Sequence, residues 1–285
     1  MVFTDKIRIF ATQHPKPMKN FIPALYFVLC CLTIYPTQAR KKEKAVLPAE
    51  TALAMLEPDR MVTPCLSHAA VAPVEEAYQH NIHSQQNRYG IDVSRYQGRI
   101  NWQEVKTDPN VSYAYLKATE GASLVDNTYY YNLKEARQAG IKVGAYHFFS
   151  PTVDPQVQFQ NFSSAVRLKE HDLLPIVDVE TRGKGSLDSF LKRLSTFIRL
   201  VEEHYGIQPI IYTSVNFYRK YLSGEYPGYK YMIARYSDEA PEMPGDIKFV
   251  MWQYTANGMT KGIKGPVDQS RIMGHYHLGD IVLRK

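Results

Sequence analysis

The sequence predicts an α/β protein built as a closed or nearly closed β/α barrel whose later helices are degraded. Three observations predict it. From Tyr89 onward, short apolar runs rich in β-formers follow one another; helical stretches separate the earlier runs; and several runs finish on polar side chains, as barrel strands do in enzymes. Strands separated by helices pair in parallel through right-handed crossovers. An open doubly wound sheet is the second reading, but no glycine-rich phosphate loop follows the first strand.

The elements read in order. YGIDVS at 89 to 94 is the first strand, and NWQEVKTD is a short helix. SYAYLKAT is followed by NTYYYNLKEARQAG, with Gly140 as the stop. KVGAYHFF precedes the helix DPQVQFQNFSSAVRL, and LLPIVDVE precedes the long helix SLDSFLKRLSTFIRLVEEHYG, closed by Gly206. QPIIYTS, YKYMIARY, KFVMWQYT and GPVDQSRI complete the set. Their connections are too short, or too rich in glycine and proline, for good helices.

The run LLPIVDVE ends an apolar strand on two acids, Asp178 and Glu180. Alternate strand residues share a face, so Ile176, Asp178 and Glu180 point into the barrel while Val177 and Val179 meet the helices. The two acids stand about 6.6 Å apart along an ideal strand. Their mutual charge, with Asp92 and Asp268 from other strands, is expected to raise at least one carboxyl and keep it protonated near neutral pH. An acid beside an ionised carboxylate is the apparatus of glycoside hydrolysis. Alone, an Asp-x-Glu pair also occurs at metal sites and in capping turns, and no second motif here supports a divalent cation. Glu120 can begin a turn with Gly121. His275 and His277 share a face without a third ligand, so they read as packed or hydrogen-bonded residues, and no metal is expected. Of the 21 tyrosines, those near strand ends are expected to stack on sugar rings.

Before Tyr89 the chain has another character. FIPALYFVLCCLTIY at 21 to 35 is apolar but shorter than the ~20 residues of a usual spanning helix, and TQA at 37 to 39 offers small residues for cleavage. Residues 1–39 therefore read as an export signal, with Met18 a second candidate start, or as an uncleaved membrane anchor, for which RKKEK just downstream argues. Cys30 and Cys31 lack the small preceding residue of a lipid-attachment site. Residues 40–87 read as a largely unstructured linker, with His68, His80 and His83 solvent-exposed. Only Cys65 lies outside the apolar segment, which leaves no intrachain disulfide framework. The formal charge of +6 is spread without a dense basic run beyond residue 87 and nothing resembles a nucleic-acid recognition module, so no nucleic-acid partner is expected.

The series GIDVSRYQG, YLKATEG, GAYHFF, PIVDVE, IIYTS, ARY, MWQYT and VDQS, in this order, resembles the glycoside hydrolase family 25 lysozymes over residues 88–285. The resemblance implies a single catalytic domain, a modified barrel of five βα units followed by three strands with reduced helices. It implies an N-acetylmuramidase that cleaves the β-1,4 bond between N-acetylmuramic acid and N-acetylglucosamine in peptidoglycan. Together with the N-terminal segment this reads as an exported enzyme, expected to be a monomer and to need no cofactor. It carries the acid/base to Glu180, the companion carboxylate to Asp178, and supporting acids to Asp92 and Asp268. In mechanisms proposed for the family, the substrate's 2-acetamido group attacks the anomeric carbon, oriented by the residue at the Asp178 position. Tyr146, Tyr212, Tyr236 and Gln253 match positions lining the sugar cleft, with Glu120 and His147 as further candidates. Met232 stands where the family often shows Trp. Arg235 is expected to pair with the muramyl lactate or a stem-peptide carboxylate. A catalytically silent glycan-binding module, or a hydrolase of another N-acetylated polysaccharide such as chitin, are the competing readings.

Overall fold

The computed structural model describes residues 88–245 and 247–284. The segment read as signal or anchor, 1–39, and the linker 40–87 lie outside the described residues. All eight sequence-predicted strands form: β1 (Tyr89–Val93), β2 (Tyr113–Glu120), β4 (Lys142–Phe148), β5 (Ile176–Asp178), β6 (Ile210–Ser214), β7 (Lys230–Ala234), β8 (Lys248–Gly258) and β9 (Val267–Ile272). A two-residue strand, β3 (Leu124–Val125), folds back on the end of β2. Around the ring the order is β1, β9, β8, β7, β6, β5, β4, β2, and the pairing of β1 with β2 closes it.

Helices follow the first five barrel strands. They are α1 (Trp102–Val105), α2 (Tyr129–Gln138), α3 (Pro155–Ala165), α4 (Leu187–Tyr205) and α5 (Val215–Phe217), the last continuing as a π-helical turn over Tyr218–Leu222. The chain is thus a barrel of five βα units followed by three strands without α-helices between them. Local chemistry sets the boundaries. Asp154 caps α3 by accepting from the Gln156 and Val157 amides, with Pro155 in the first turn. Ser186 caps α4, and Gly206 ends it in the left-handed region at φ 68°. Phe190, Leu194, Phe197, Ile198 and Val201 form the buried stripe of α4, the spacing of an amphipathic helix.

One expectation fails. β9 is not parallel to its neighbours: it runs antiparallel to both β8 and β1. Residues 259–266 connect β8 to β9, fewer than the roughly dozen a parallel crossover needs. The reversal brings the start of β9, not its end, to the barrel mouth, and Asp268 sits at that start.

Two apolar layers position the mouth. Ile91, Val93, Val177, Val179 and Ile233 pack outward against the helices. Tyr113, Tyr115, Ile176, Met232 and Met251 fill the interior. The alternation expected for β5 is therefore met, with Ile176 inside and Val177 outside. Large and small residues interlock: a Cβ on Gly90 would strike the Tyr113 ring, and one on Gly144 would strike Tyr115 and Leu173. Neither glycine has a positive φ, so space is what requires it. Tyr113 has little freedom to yield, being fully buried with its hydroxyl 3.1 Å from Ser270 Oγ. We expect Gly90→Ala to destabilise the domain by about 1–3 kcal/mol, as overpacking does. An unchanged urea midpoint would contradict this packing.

Candidate active site

Four acids converge at the barrel mouth because three strands, β1, β5 and β9, deliver them with the same inward parity. Asp92 and Asp268 are direct cross-strand partners on β1 and β9. Asp178 closes β5, and Glu180 follows two residues on, at the exposed rim. All four line one cavity of about 70 Å³ with Tyr115, Tyr146, Ile176, Tyr212, Met232 and Gln253. Such a floor holds only part of a ligand, and a groove of about 420 Å³ extends from it. Glu180, Tyr212, Asn216, Arg235 and Tyr236 line that groove.

A hydrogen-bond chain fixes the floor. The Tyr212 and Tyr236 hydroxyls donate to Gln253 Oε1 at 2.8 and 3.2 Å, and Gln253 Nε2 donates to Asp92 Oδ2 at 3.1 Å. Two phenols on one side and a carboxyl on the other set which way the amide faces. Asp92 Oδ1, Asp178 Oδ1 and the Tyr115 hydroxyl are buried without partners among the described residues. Buried polar atoms are almost always satisfied, so three orphans around one cavity mark where ligand atoms belong.

Burial governs the electrostatics. It pushes the Asp92 carboxyl up to about 8, helped by the charge of Asp268 and opposed by the Gln253 hydrogen bond. Asp268 rises to about 6, through burial first and the Glu180 charge second. Asp178 rises well above the ordinary carboxyl range, again through burial and then Glu180. Glu180 also rises by desolvation, while its hydrogen bond with Asp178 and the nearby Lys117 ammonium pull it down. The Asp178 and Glu180 carboxyls share a hydrogen bond, so they act as one pair holding a proton between them. Mutual charge, expected from the sequence to be the cause, comes second to desolvation.

Two candidates stand elsewhere. His147 neighbours Tyr146 on β4 and faces the opposite way, fully buried between the strand and the helices. Its ring lies 2.7 Å from Thr119 Oγ1 and 3.3 Å from Gln158 Oε1 and stacks on Phe197. Burial lowers it to about 4, so it is a neutral fastener of α3 and α4 to the barrel, not a cleft residue. Glu120 is tied to Lys117 Nζ at 2.6 Å and does not line the cavity.

Tyr115 and Lys117 are the residues that sequence reasoning missed. Both sit on β2 at the parity of Tyr113, but SYAYLKAT reads as ordinary core. Among the described residues, no group of three or more His, Cys, Asp and Glu side chains is arranged to hold a metal ion.

Raised carboxyls bind more protons in the folded chain than in the unfolded one. They therefore favour folding at low pH and cease to as pH rises from about 4 through about 8. Asp92→Asn should accordingly gain several kcal/mol of unfolding free energy at pH 8, on the order of 5 if the whole shift is realised, and little at pH 4. An equal gain at both pH values in urea titrations would contradict the burial of that charge.

Comparison with known proteins gives a consistent picture. The sequence model described as "Glycosyl hydrolases family 25" matches residues 91–263. The uncharacterized protein YegX of Escherichia coli (strain K12) is 40% identical over 184 residues, covering 63% of this chain and 67% of that protein. Lysozyme M1 of Streptomyces globisporus is 31% identical over 200 residues, 65% of this chain and 67% of its own length. A family 25 glycosyl hydrolase from Bacillus anthracis superposes with a TM-score of 0.61 at 30% identity, covering 67% of this chain and 91% of that one.

Proposed function

Because the chain belongs to glycosyl hydrolases family 25 and is thus a glycoside hydrolase, we propose that it is an N-acetylmuramidase. It hydrolyses the β-1,4 bond between N-acetylmuramic acid and N-acetylglucosamine in peptidoglycan. The observation that carries this reading is the hydrogen-bonded Asp178–Glu180 pair at the mouth of a barrel, beside buried oxygens that lack protein partners. The likeness to a relative named as a lysozyme supports the substrate.

Glu180 is the general acid. It stands at the solvent-facing edge of the pair, where a leaving sugar oxygen can reach it, and Asp178 is the deeper partner. When the substrate's acetamido N–H donates to Asp178, the shared proton moves to Glu180. Glu180 then gives it to the glycosidic oxygen as the bond to C1 breaks and the acetamido oxygen closes on C1. The Glu180 carboxylate next takes a proton from the water that opens this ring, which restores the pair. This route needs no enzyme nucleophile and departs from the two-carboxylate scheme.

Asp92 and Asp268 support the pair by keeping the floor acidic and reluctant to lose protons. Tyr146, Tyr212 and Gln253 contact the sugar at the floor, and Tyr236, 60% exposed, offers a ring face at the rim. Met232 lies buried on the floor, so it offers no stacking face at the rim. Arg235 shares the groove of Glu180 and meets the muramyl side of the chain. Export, through the segment at 1–39, and action as a monomer belong to the same proposal.

Digesting purified cell wall and assaying new reducing ends tests the reading. A silent binding module releases none, and a chitin hydrolase works on chitin alone. Glu180→Gln should lower the rate by about 10²- to 10⁴-fold, the usual contribution of general acid catalysis, with fold and glycan binding retained. A fully active variant would overturn the assignment.

A further inference from the structure

We propose that a second groove, on the outer wall of the barrel beside the cleft, binds a stem-peptide carboxylate of the substrate through Arg271; this rests on the muramidase reading. The groove measures about 560 Å³, and its lining includes Tyr89, Tyr236, Asp238, Trp252, Tyr254 and Arg271. It lies on the opposite face of the same strands that build the acidic floor. Tyr89 pairs with Arg271, and Arg271 with Trp252, across β1, β9 and β8. Asp92, Asp268 and Gln253 point inward from odd offsets on those three strands, so these side chains point outward. Tyr236 belongs to both grooves, which makes the outer one continuous with the cleft.

Arg271 lacks the partner its chemistry calls for. Its guanidinium lies 4.8 Å from the Trp252 ring centroid, and its Nε is buried with no hydrogen-bond partner among the described residues. Asp238 lines the groove without forming an ion pair with it. A guanidinium held over an aromatic ring, with an unpaired donor, is preorganised for a carboxylate. Once a stem peptide is attached, the muramyl lactyl group is an amide, so the free carboxylates lie farther along the peptide. A peptide leaving the cleft over Tyr236 and running down the outer wall at about 3.3 Å per residue brings such a carboxylate to Arg271 within a few residues.

The test uses the full chain on two substrates, intact peptidoglycan and the same glycan stripped of peptides by an amidase. Arg271→Met keeps apolar bulk over Trp252. It should lower the ratio of kcat/KM on intact to stripped glycan about tenfold, through KM, as loss of a charged hydrogen bond does. An unchanged ratio, or an equal loss on both substrates as for a groove that stacks sugar or takes another segment of the chain, overturns the proposal. The wild-type enzyme on peptidoglycan with amidated stem-peptide carboxylates should show the same rise in KM. An unchanged KM there overturns the proposal whether or not the variant folds. Failure of the wild type to release reducing ends from either glycan would instead bring down the muramidase reading.

Discussion

Everything at the mouth of this barrel depends on desolvating carboxyl groups that, among the described residues, have no cation directly against them. Burial outranks the neighbouring charges as the reason Asp92, Asp178 and Asp268 hold protons above the ordinary range. Lys117 opposes this only at a distance, because its ammonium is engaged by Glu120. A folded state that accepts such groups gives up stability near neutral pH, a trade seen where chemistry needs an acid ready to donate. The phenol–amide–carboxyl chain through Gln253 then fixes where each donor and acceptor points.

The barrel makes that arrangement possible by geometry. Inward parity on β1, β5 and β9 sends the acids to one floor, and interior tyrosines over Gly90 and Gly144 close the space beneath them. Reversal of β9 is essential, since a parallel strand would carry Asp268 to the opposite end. The same short connection that forces the reversal also omits a helix, leaving the outer side of β8, β9 and β1 to aromatic side chains and Arg271. The cleft and the outer groove are thus two faces of one departure from the regular barrel.

Much of this was legible in the sequence where a periodicity has only one reading. The alternation of Ile176, Val177, Asp178, Val179 and Glu180 gave inside and outside correctly, and the buried stripe of α4 marked a helix. What failed was parity at strand ends. Tyr146 and His147 are neighbours and cannot both face the cleft, yet each is a polar aromatic and neither advertises its side. On β2 a register shift between Lys117 and Thr119 turns Thr119 toward the helices, and no residue type announces it. Strand direction was the other blind spot: GPVDQSRI reads alike whichever way it runs, and only the length of the loop before it carries the answer. Arg271, inside that run, looks like an ordinary edge charge until Trp252 is seen beneath it.

Carbon-13 NMR titration of the Asp and Glu side-chain carboxyls bears most directly on the central claim. The account predicts at least one carboxyl, absent from the spectrum of Glu180→Gln or shifted in it, that stays protonated above pH 6, well past the ~4 of a free carboxyl. If every carboxyl of the domain titrates near 4, no proton waits at the barrel mouth, and the acid assigned to the cleavage step does not exist.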